Sequence, residues 1–477
     1  MDRRSTKPGV GITRRNLMRG AAGGALAATI PTAHAAQDDD WAPAEAILAR
    51  VRPPRFPARD FDIRRYGADP TSLAKTSDAI RTAIDACAAA GGGRVVIPAG
   101  VWPTKGIRLK SRVNLHAAAG ATLRFSTDPN DYLPLVLTRF EGVECMNFAP
   151  LIYAFEAEDI AITGPGTLDG QAGWKNWWGW ISRDDATINA GRQEAQKRLA
   201  ELAERGAPAS ERIMGPGAYL RPSFVQPYRC RNVLIDGPTI LGSPMWIVHP
   251  VLSTNVTVRG VTINSLGPNN DGCNPESCRD VLIEKCDFTA GDDCIAIKSG
   301  RNFDGRRINV PSENIIVRNC RMRDGHGGVS LGSEASGGIR NIYIRDCRMG
   351  GSDLLRALRL KSNSYRGGYI ENILFRDIEV DSVGEGVLEI SLLYSESGKK
   401  GTKGNMLPRR VGGVTMRNVR SKGSLYALDI QSYPELPVDA IRIEDCRFEN
   451  VKQGNRLVNA QVTAARVTIN GTPWSPA

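Results

Sequence analysis

Apolar and polar residues alternate along most of this chain in short pieces, and from residue 232 onward the pieces share one pattern. A polar residue opens each copy, followed by a short alternating strand, a polar pair and a second short strand. The pattern runs through Asn232-Val-Leu-Ile-Asp, Asn255-Val-Thr-Val-Arg, Asp280-Val-Leu-Ile-Glu-Lys-Cys-Asp-Phe and Asn314-Ile-Ile-Val-Arg-Asn-Cys-Arg-Met. It continues as Asn341-Ile-Tyr-Ile-Arg-Asp-Cys-Arg-Met, Asn372-Ile-Leu-Phe-Arg-Asp-Ile, Gly413-Val-Thr-Met-Arg-Asn-Val and Ala440-Ile-Arg-Ile-Glu-Asp-Cys-Arg-Phe. The copies start 23, 25, 34, 27, 31, 41 and 27 residues apart. Unequal steps around one recurring strand pattern describe a solenoid whose strands are fixed and whose loops vary. No long helical periodicity lies between the strands, which argues against a doubly wound α/β sheet. Few hairpin turns join neighbouring strands, which argues against a β-sandwich. The pattern predicts an all-β fold, a right-handed parallel β-helix with coils stacked at roughly 4.8 Å.

Two stretches break the pattern. Over 76–90, Ile80, Ala83, Ile84 and Cys87 recur at helical spacing, with Thr76 or Ser77 as cap and Gly91, Gly92 and Gly93 as stop. This predicts a helix capping the N-terminal end of the solenoid. Over 184–205, mixed charges accompany Leu199 and Leu202 up to Gly206, which predicts a helical insertion, about 174–215, lying over one face. Just before it, Trp174, Trp177, Trp178 and Trp180 are four of the eight tryptophans. They suit either a platform for sugar rings or a foot that docks the insertion.

Composition narrows the class only slightly. Of 477 residues, 41% are hydrophobic and 24% charged, which disfavours disorder and membrane spanning. The N-terminus is more informative. Arg3, Arg4, Lys7, Arg14, Arg15 and Arg19 precede a Gly/Ala-rich run and Ala33-His34-Ala35, the layout of an export signal with a small-residue cleavage site. Thr13-Arg14-Arg15-Asn16-Leu17 resembles a twin-arginine signal, which implies a bacterial protein exported already folded, to the periplasm or beyond. The expected organisation is therefore a signal over 1–35, a linker over 36–59 and a single β-helix domain over 60–477. Removal of the signal lowers the net charge from +11 to about +6, an excess suited to a polyanionic partner. No membrane span is expected after that removal, and a monomer is expected.

Ten cysteines in an exported chain first suggest disulfides. Yet Cys286, Cys320, Cys347 and Cys446 fill one slot of the repeat, as an inward ladder of small apolar side chains would. Cys273 and Cys278 fall in a loop, and spacing leaves their state open.

Four polar motifs stand out: Asn269-Asn270-Asp271-Gly272, Gly291-Asp292-Asp293-Cys294, Gly325-His326-Gly327-Gly328 and Arg359-Leu360-Lys361. From Asp271 to Asp292, His326 and Arg359 the steps are 21, 34 and 33 residues, each close to one coil. Residues one coil apart stack on one face, so the motifs should converge. Three carboxylates, an imidazole and two cations in one groove suit cleavage of a glycosidic bond, which needs a protonated and an ionised carboxyl flanking the sugar. Crowding raises carboxyl pKa values and so supplies the proton. One difficulty is parity: Asp293 matches Ile295 and Ile297 and would point inward unless the chain bends, a bend that Gly291 permits.

These motifs, in this order on a β-helix, resemble glycoside hydrolase family 28, the polygalacturonase family. Tyr66-Gly67-Ala68-Asp69 and the segment from Gly91 to Gly100 are also similar to the N-terminal cap of its bacterial members. The resemblance covers roughly residues 60 to 450. It implies an inverting hydrolase of galacturonosyl bonds in pectin or polygalacturonate, with Asp292 as general acid. Asp271 and Asp293 would activate the water, and His326 would maintain the acid's protonation. Asn269, Arg359, Lys361 and Tyr394 would bind substrate, the cations taking a galacturonate carboxylate. No metal, cofactor or nucleic acid is implied. Asn270 stands where the family commonly has Thr, and Cys273 and Asn274 are unusual neighbours of Asp271. Competing readings are a pectate-lyase-like eliminase using Ca²⁺ and a non-catalytic carbohydrate-binding β-helix. The insertion favours exo action.

Overall fold

In the computed structural model, each short strand of one coil pairs in parallel with its counterpart in the next. Residues 39–182, 184–394 and 404–476 are described; the export signal expected over 1–35 lies outside them. One column in direct register runs Ile160, Val233, Val256, Val281, Ile315, Ile342, Ile373, Val414 and Ile441, every member buried. Each aliphatic side chain therefore packs on the same position of the coils above and below. The fold is the right-handed parallel β-helix that the repeat predicts.

The polar residue that opens each copy now has a physical reason. Asn232, Asn255, Asp280, Asn314, Asn341 and Asn372 all adopt left-handed backbone with φ of 58–59°, a conformation Asn and Asp tolerate better than other non-glycine residues. Their side chains also stack as a ladder: Asn255 Nδ2 donates to Asn232 Oδ1 at 2.7 Å and Asn341 Nδ2 to Asn314 Oδ1 at 3.0 Å. Gly413, at φ 64°, fills the same slot without a side chain.

The cysteines are buried and unpaired, all ten of them, including Cys273 and Cys278. Cys286, Cys320, Cys347 and Cys446 point inward from their slot, and Cys347 is followed in register by Ile378 and Val419. The slot thus takes any compact apolar group.

The capping helix spans Leu73–Ala89 and begins a turn-fraction earlier than the apolar spacing implies, because Ser72, not Thr76 or Ser77, caps it by accepting from the Lys75 amide. Thr76 instead turns inward and donates to the Asp69 carbonyl. The inserted helix spans Ala186–Glu204, with Asp185 accepting from the Thr187 and Ile188 amides at its start. Within 36–59, where composition reads as linker, the chain forms a helix over Ala42–Arg50, and the Arg50 guanidinium pairs with Asp280 at 2.8 Å. The contact clustering separates Met1–Ala42 from Pro43–Ala477, and everything below concerns the latter unit.

The insertion is held by its own apolar cluster. Ala195, Leu199 and Ala203, on one helix face, pack with Phe140 and Val143 of the hairpin Val136–Phe140/Val143–Asn147 and with Met245 and Trp246 of a solenoid coil. Burying Leu199 there stabilises the arrangement by about 1.5–3 kcal/mol. The tryptophan cluster supplies the foot. Trp177 is 1% exposed and meets Tyr132 and Trp180 edge-on at 5.6 and 4.8 Å. Trp178 donates its Nε1–H to the Ser243 carbonyl.

Two measurements check this packing. Phe375→Ala, at a fully buried ring, should cost about 3–5 kcal/mol and lower the thermal midpoint accordingly. A thiol reagent should find essentially no reactive cysteine in the native protein and ten after denaturation without reductant; fewer than ten would mean disulfides.

Candidate active site

The groove lies on the sheet formed by Ile295–Ile297, Val329–Gly332, Leu358–Lys361, Gly386–Ser391, Tyr426–Gln431 and Arg456–Val458. Single bridges extend it backward through Cys273, Val248 and Val225. Cys273, Ile295, Val329 and Leu358 stack in register. Asp271 and Asp293 each precede the stacked residue of their coil by two positions, and Asp292 and His326 each precede theirs by three. The 21- and 34-residue steps therefore become vertical neighbours.

The parity difficulty resolves at the turn. The strand begins at Ile295, and Asp292 and Asp293 sit in the bend before it, with the Asp293 amide donating to Asp292 Oδ1 at 2.9 Å. Gly291 is needed for closeness rather than for unusual dihedrals: a Cβ there would lie 2.0 Å from the Gly267 carbonyl oxygen. That approach brings the turn carrying Asp271 against the turn carrying Asp292.

One carboxylate oxygen from each of Asp271, Asp292 and Asp293 lies within 4.8 Å of the others. Their surroundings differ sharply. The Asp293 side chain is fully buried; Lys361 Nζ donates to its Oδ2 at 2.7 Å and Ser330 Oγ to its Oδ1 at 2.7 Å. Burial alone would raise its pKa, but Lys361, then Arg359 and Lys298, outweigh it and hold the carboxylate well below the usual range. Asp271 is also buried, and burial followed by the charge of Asp292 pushes it well above that range. Its Oδ2 accepts from Asn274 Nδ2 at 2.9 Å and lies 3.5 Å from Lys298 Nζ, while its buried Oδ1 has no partner. Asp292 is the member that reaches the open groove, with its side chain 19% exposed, and its Oδ1 hydrogen-bonds His326 Nδ1 at 3.0 Å. That bond, more than the opposing burial, raises the imidazole pKa above its usual value.

The cations follow the strand parity. Leu358 and Leu360 point inward, so Arg359 and Lys361 face the groove. Arg359 Nε donates to Glu389 at 2.9 Å and its Nη1 stands 4.0 Å from Asp293. The Tyr394 ring lies 5.8 Å from the Arg359 guanidinium and 5.7 Å from Lys361 Nζ. Asn269 is held by Arg221, whose Nη2 donates to Asn269 Oδ1 at 2.6 Å. Asn270 is structural: its Oδ1 accepts from Ser265 Oγ and the Gly267 amide, which shapes the turn before Asp271.

All of the expected site residues thus meet in one region. Asn269, Asp271, Asp292, Lys361 and Tyr394 line a cavity of about 1220 Å³, and Asp293, His326 and Arg359 contact that set directly. The inserted helix walls one side with Asn189, Arg192 and Gln193. None of the four clustered tryptophans lines the cavity; Trp246 does. Lys298, Glu334 and Arg366 also line it and were not singled out from sequence. Lys298 had a legible signal, since Ile295 and Ile297 point inward and the alternation turns Lys298 outward. Glu334 and Arg366 had none, because they lie in turns outside the repeat. His249 lies beneath the cavity, fully buried, with Nε2 on Glu276 at 2.8 Å and Nδ1 accepting from Gln226.

A sequence profile of glycosyl hydrolases family 28 matches residues 217–466, just over half of the chain. The chain is 28% identical to an exo-poly-alpha-D-galacturonosidase of Dickeya chrysanthemi over 78% of its own length, and 30% identical to a probable polygalacturonase of Vitis vinifera over 61%. The matches span 64% and 54% of those two relatives. Among solved structures, a hyperthermoactive exopolygalacturonase from Thermotoga maritima superposes with a TM-score of 0.85 at 45% identity, covering 90% of this chain and 96% of that one. With the stacked carboxylates, the walled groove and this match in hand, the chain belongs to glycosyl hydrolase family 28.

Proposed function

We propose that this protein hydrolyses α-1,4-galacturonosyl bonds of polygalacturonate from a chain end, by acid–base catalysis with inversion. The observation that carries the reading is the cluster of Asp271, Asp292 and Asp293, in which one carboxylate is held ionised by Lys361 while burial makes another proton-avid. Neighbouring carboxyls driven apart in this way are the mark of an acid and a base. The crowded pair of Asp271 and Asp292 shares its proton uptake, so protonation belongs to the pair. Asp292, the member in the open groove, delivers that proton to the leaving glycosidic oxygen. Asp293, with Asp271, takes the proton of the attacking water, which adds to the anomeric carbon as the bond to the leaving group breaks. His326 holds the Asp292 carboxyl in place by its hydrogen bond.

Substrate charge fits the cations. Arg359 and Lys361, with the Tyr394 ring across both, suit a galacturonate unit beside the scissile bond. Exo action is supported by the inserted helix, which walls the cavity next to the carboxylates, and by the exo-acting enzymes to which the chain is similar. An eliminase reading, with Ca²⁺ on the carboxylates, fits less well because Lys361 and Ser330 already occupy both oxygens of Asp293. Export by the twin-arginine route, to the periplasm or the medium, is supported by the N-terminal signal and by ten unpaired cysteines, which suit folding in a reducing compartment before transport. No helix among the described residues is long and apolar enough to cross a membrane.

The carboxylates lie closer together than the roughly 6.5–9.5 Å ordinary for inverting enzymes, so inversion rests on family membership and its stereochemistry is a sharp test. Proton NMR of the first product should show the β-anomer; the α-anomer would mean retention. Asp292→Asn should lower kcat on polygalacturonate by about 10²–10⁴-fold while leaving oligogalacturonate binding intact, and early products should be monomer or dimer. Retained hydrolysis would sink the assignment of the acid, and an early ladder of oligomers would sink exo action.

The histidines give a second check. In NMR titration of labelled imidazoles, His326 should titrate above the usual value, and burial should hold His116 and His249 below it. Asp292→Asn should move the His326 titration downward, because the partner that stabilises the charged ring is lost.

A further inference from the structure

Lys298 lies in the same strand segment as the acidic pair, yet it belongs to none of the four motifs. Its side chain is 4% exposed, and its Nζ stands 3.5 Å from Asp271 Oδ2 and 3.0 Å from Glu334 Oε2. The ammonium also sits 4.5 Å from the centre of the Trp246 ring, the aromatic wall of the cavity. A buried lysine in such a place must be charged and paired, since an isolated ammonium would be too costly to desolvate. Glu334 is the partner, in the turn after Val329–Gly332, and it is itself held by Lys298, Arg366 and Arg301 well below the usual carboxylate range despite its burial.

We propose that the buried Lys298–Glu334 ion pair is a positioning element for Asp271, which steadies Oδ2, leaves Oδ1 for the reacting water and sets the pH at which the site works. The inference rests on the hydrolase reading above. The geometry assigns the two oxygens different tasks. Oδ2 faces Asn274 and Lys298, whereas Oδ1 is buried without a hydrogen-bond partner. A carboxylate pinned through one oxygen presents the other in a fixed direction.

The charge balance gives the inference its sign. On Asp271, burial and the charges of Asp292 and Asp293 favour the protonated form, while Lys298 and the more distant Lys361 oppose them. Glu334 draws part of the Lys298 charge away, and Arg366, Arg301 and Lys361 act in turn on Glu334. Arg221 adds a further positive charge from behind Asn269. Removing Lys298 should therefore make the carboxyl pair hold its proton to higher pH, and removing the Glu334 charge should do the reverse.

The test is the pH profile of kcat/KM on tri-galacturonate for the full-length mature protein and three variants, each checked by thermal melting. Lys298→Met should move the optimum up by about one pH unit and Glu334→Gln should move it down by about as much. The double variant, which removes both charges together and spares the fold an unpaired buried ion, should fall between them. Lys298→Arg, which keeps the charge, should restore most of the wild-type optimum. Unmoved optima, or shifts of the same sign in the folded variants, would overturn the proposal. If either single variant fails to fold, the other and the double variant decide. A wild-type protein inactive on tri-galacturonate would instead overturn the hydrolase reading, so the two failures are distinguishable.

Discussion

Everything in this molecule depends on the parallel hydrogen bonding of one coil to the next in fixed register. A coil is too narrow to bury its own apolar face, so it is stable only between neighbours, and the neighbours must place like on like. The aliphatic column from Ile160 to Ile441 and the asparagine ladder from Asn232 to Asn372 are two consequences of that rule, one inside and one at a corner. The site is a third. Asp271 below Asp293, and Asp292 below His326, are neighbours because their coils are in register, although 22 and 34 residues separate them along the chain.

The same register creates an electrostatic burden that the groove must relieve. Stacked carboxylates repel, and each is relieved differently. Asp293 has an ammonium and a hydroxyl from the two following coils, Asp292 has an imidazole, and Asp271 has an amide and a shared ammonium. The asymmetry is what makes the cluster useful, because three equivalent carboxylates would titrate as a repelling group without a dedicated acid or base. The loops between strands close the groove. The inserted helix rests on Phe140, Val143 and Trp246, and the face of Trp246 carries Lys298. The wall of the cavity and the charge beside Asp271 are thus joined through one aromatic ring.

Much of this was legible in the chain because a solenoid converts sequence spacing into spatial proximity. Inward alternation, the ladder of cysteines and the convergence of four motifs all follow from that conversion. Helix limits followed less closely where a cap lay outside the apolar pattern, as at Ser72. The tryptophan cluster was ambiguous because aromatic composition is the same for a foot and for a platform. Only the contacts of Trp177 with Tyr132 and of Trp178 with Ser243 distinguish them.

By itself the sequence determined the coil, its register and which polar groups face the groove, since these depend on local periodicity and on distances counted in coils. Tertiary structure decided which aspartate is held ionised and which is proton-avid, because burial and the partners Ser330, Asn274, Lys298 and Glu334 arrive from several coils at once. It also decided that Gly291 serves close approach and that Lys298 belongs to the site. No periodicity encodes those facts: they depend on how loops of unequal length fold over a regular core.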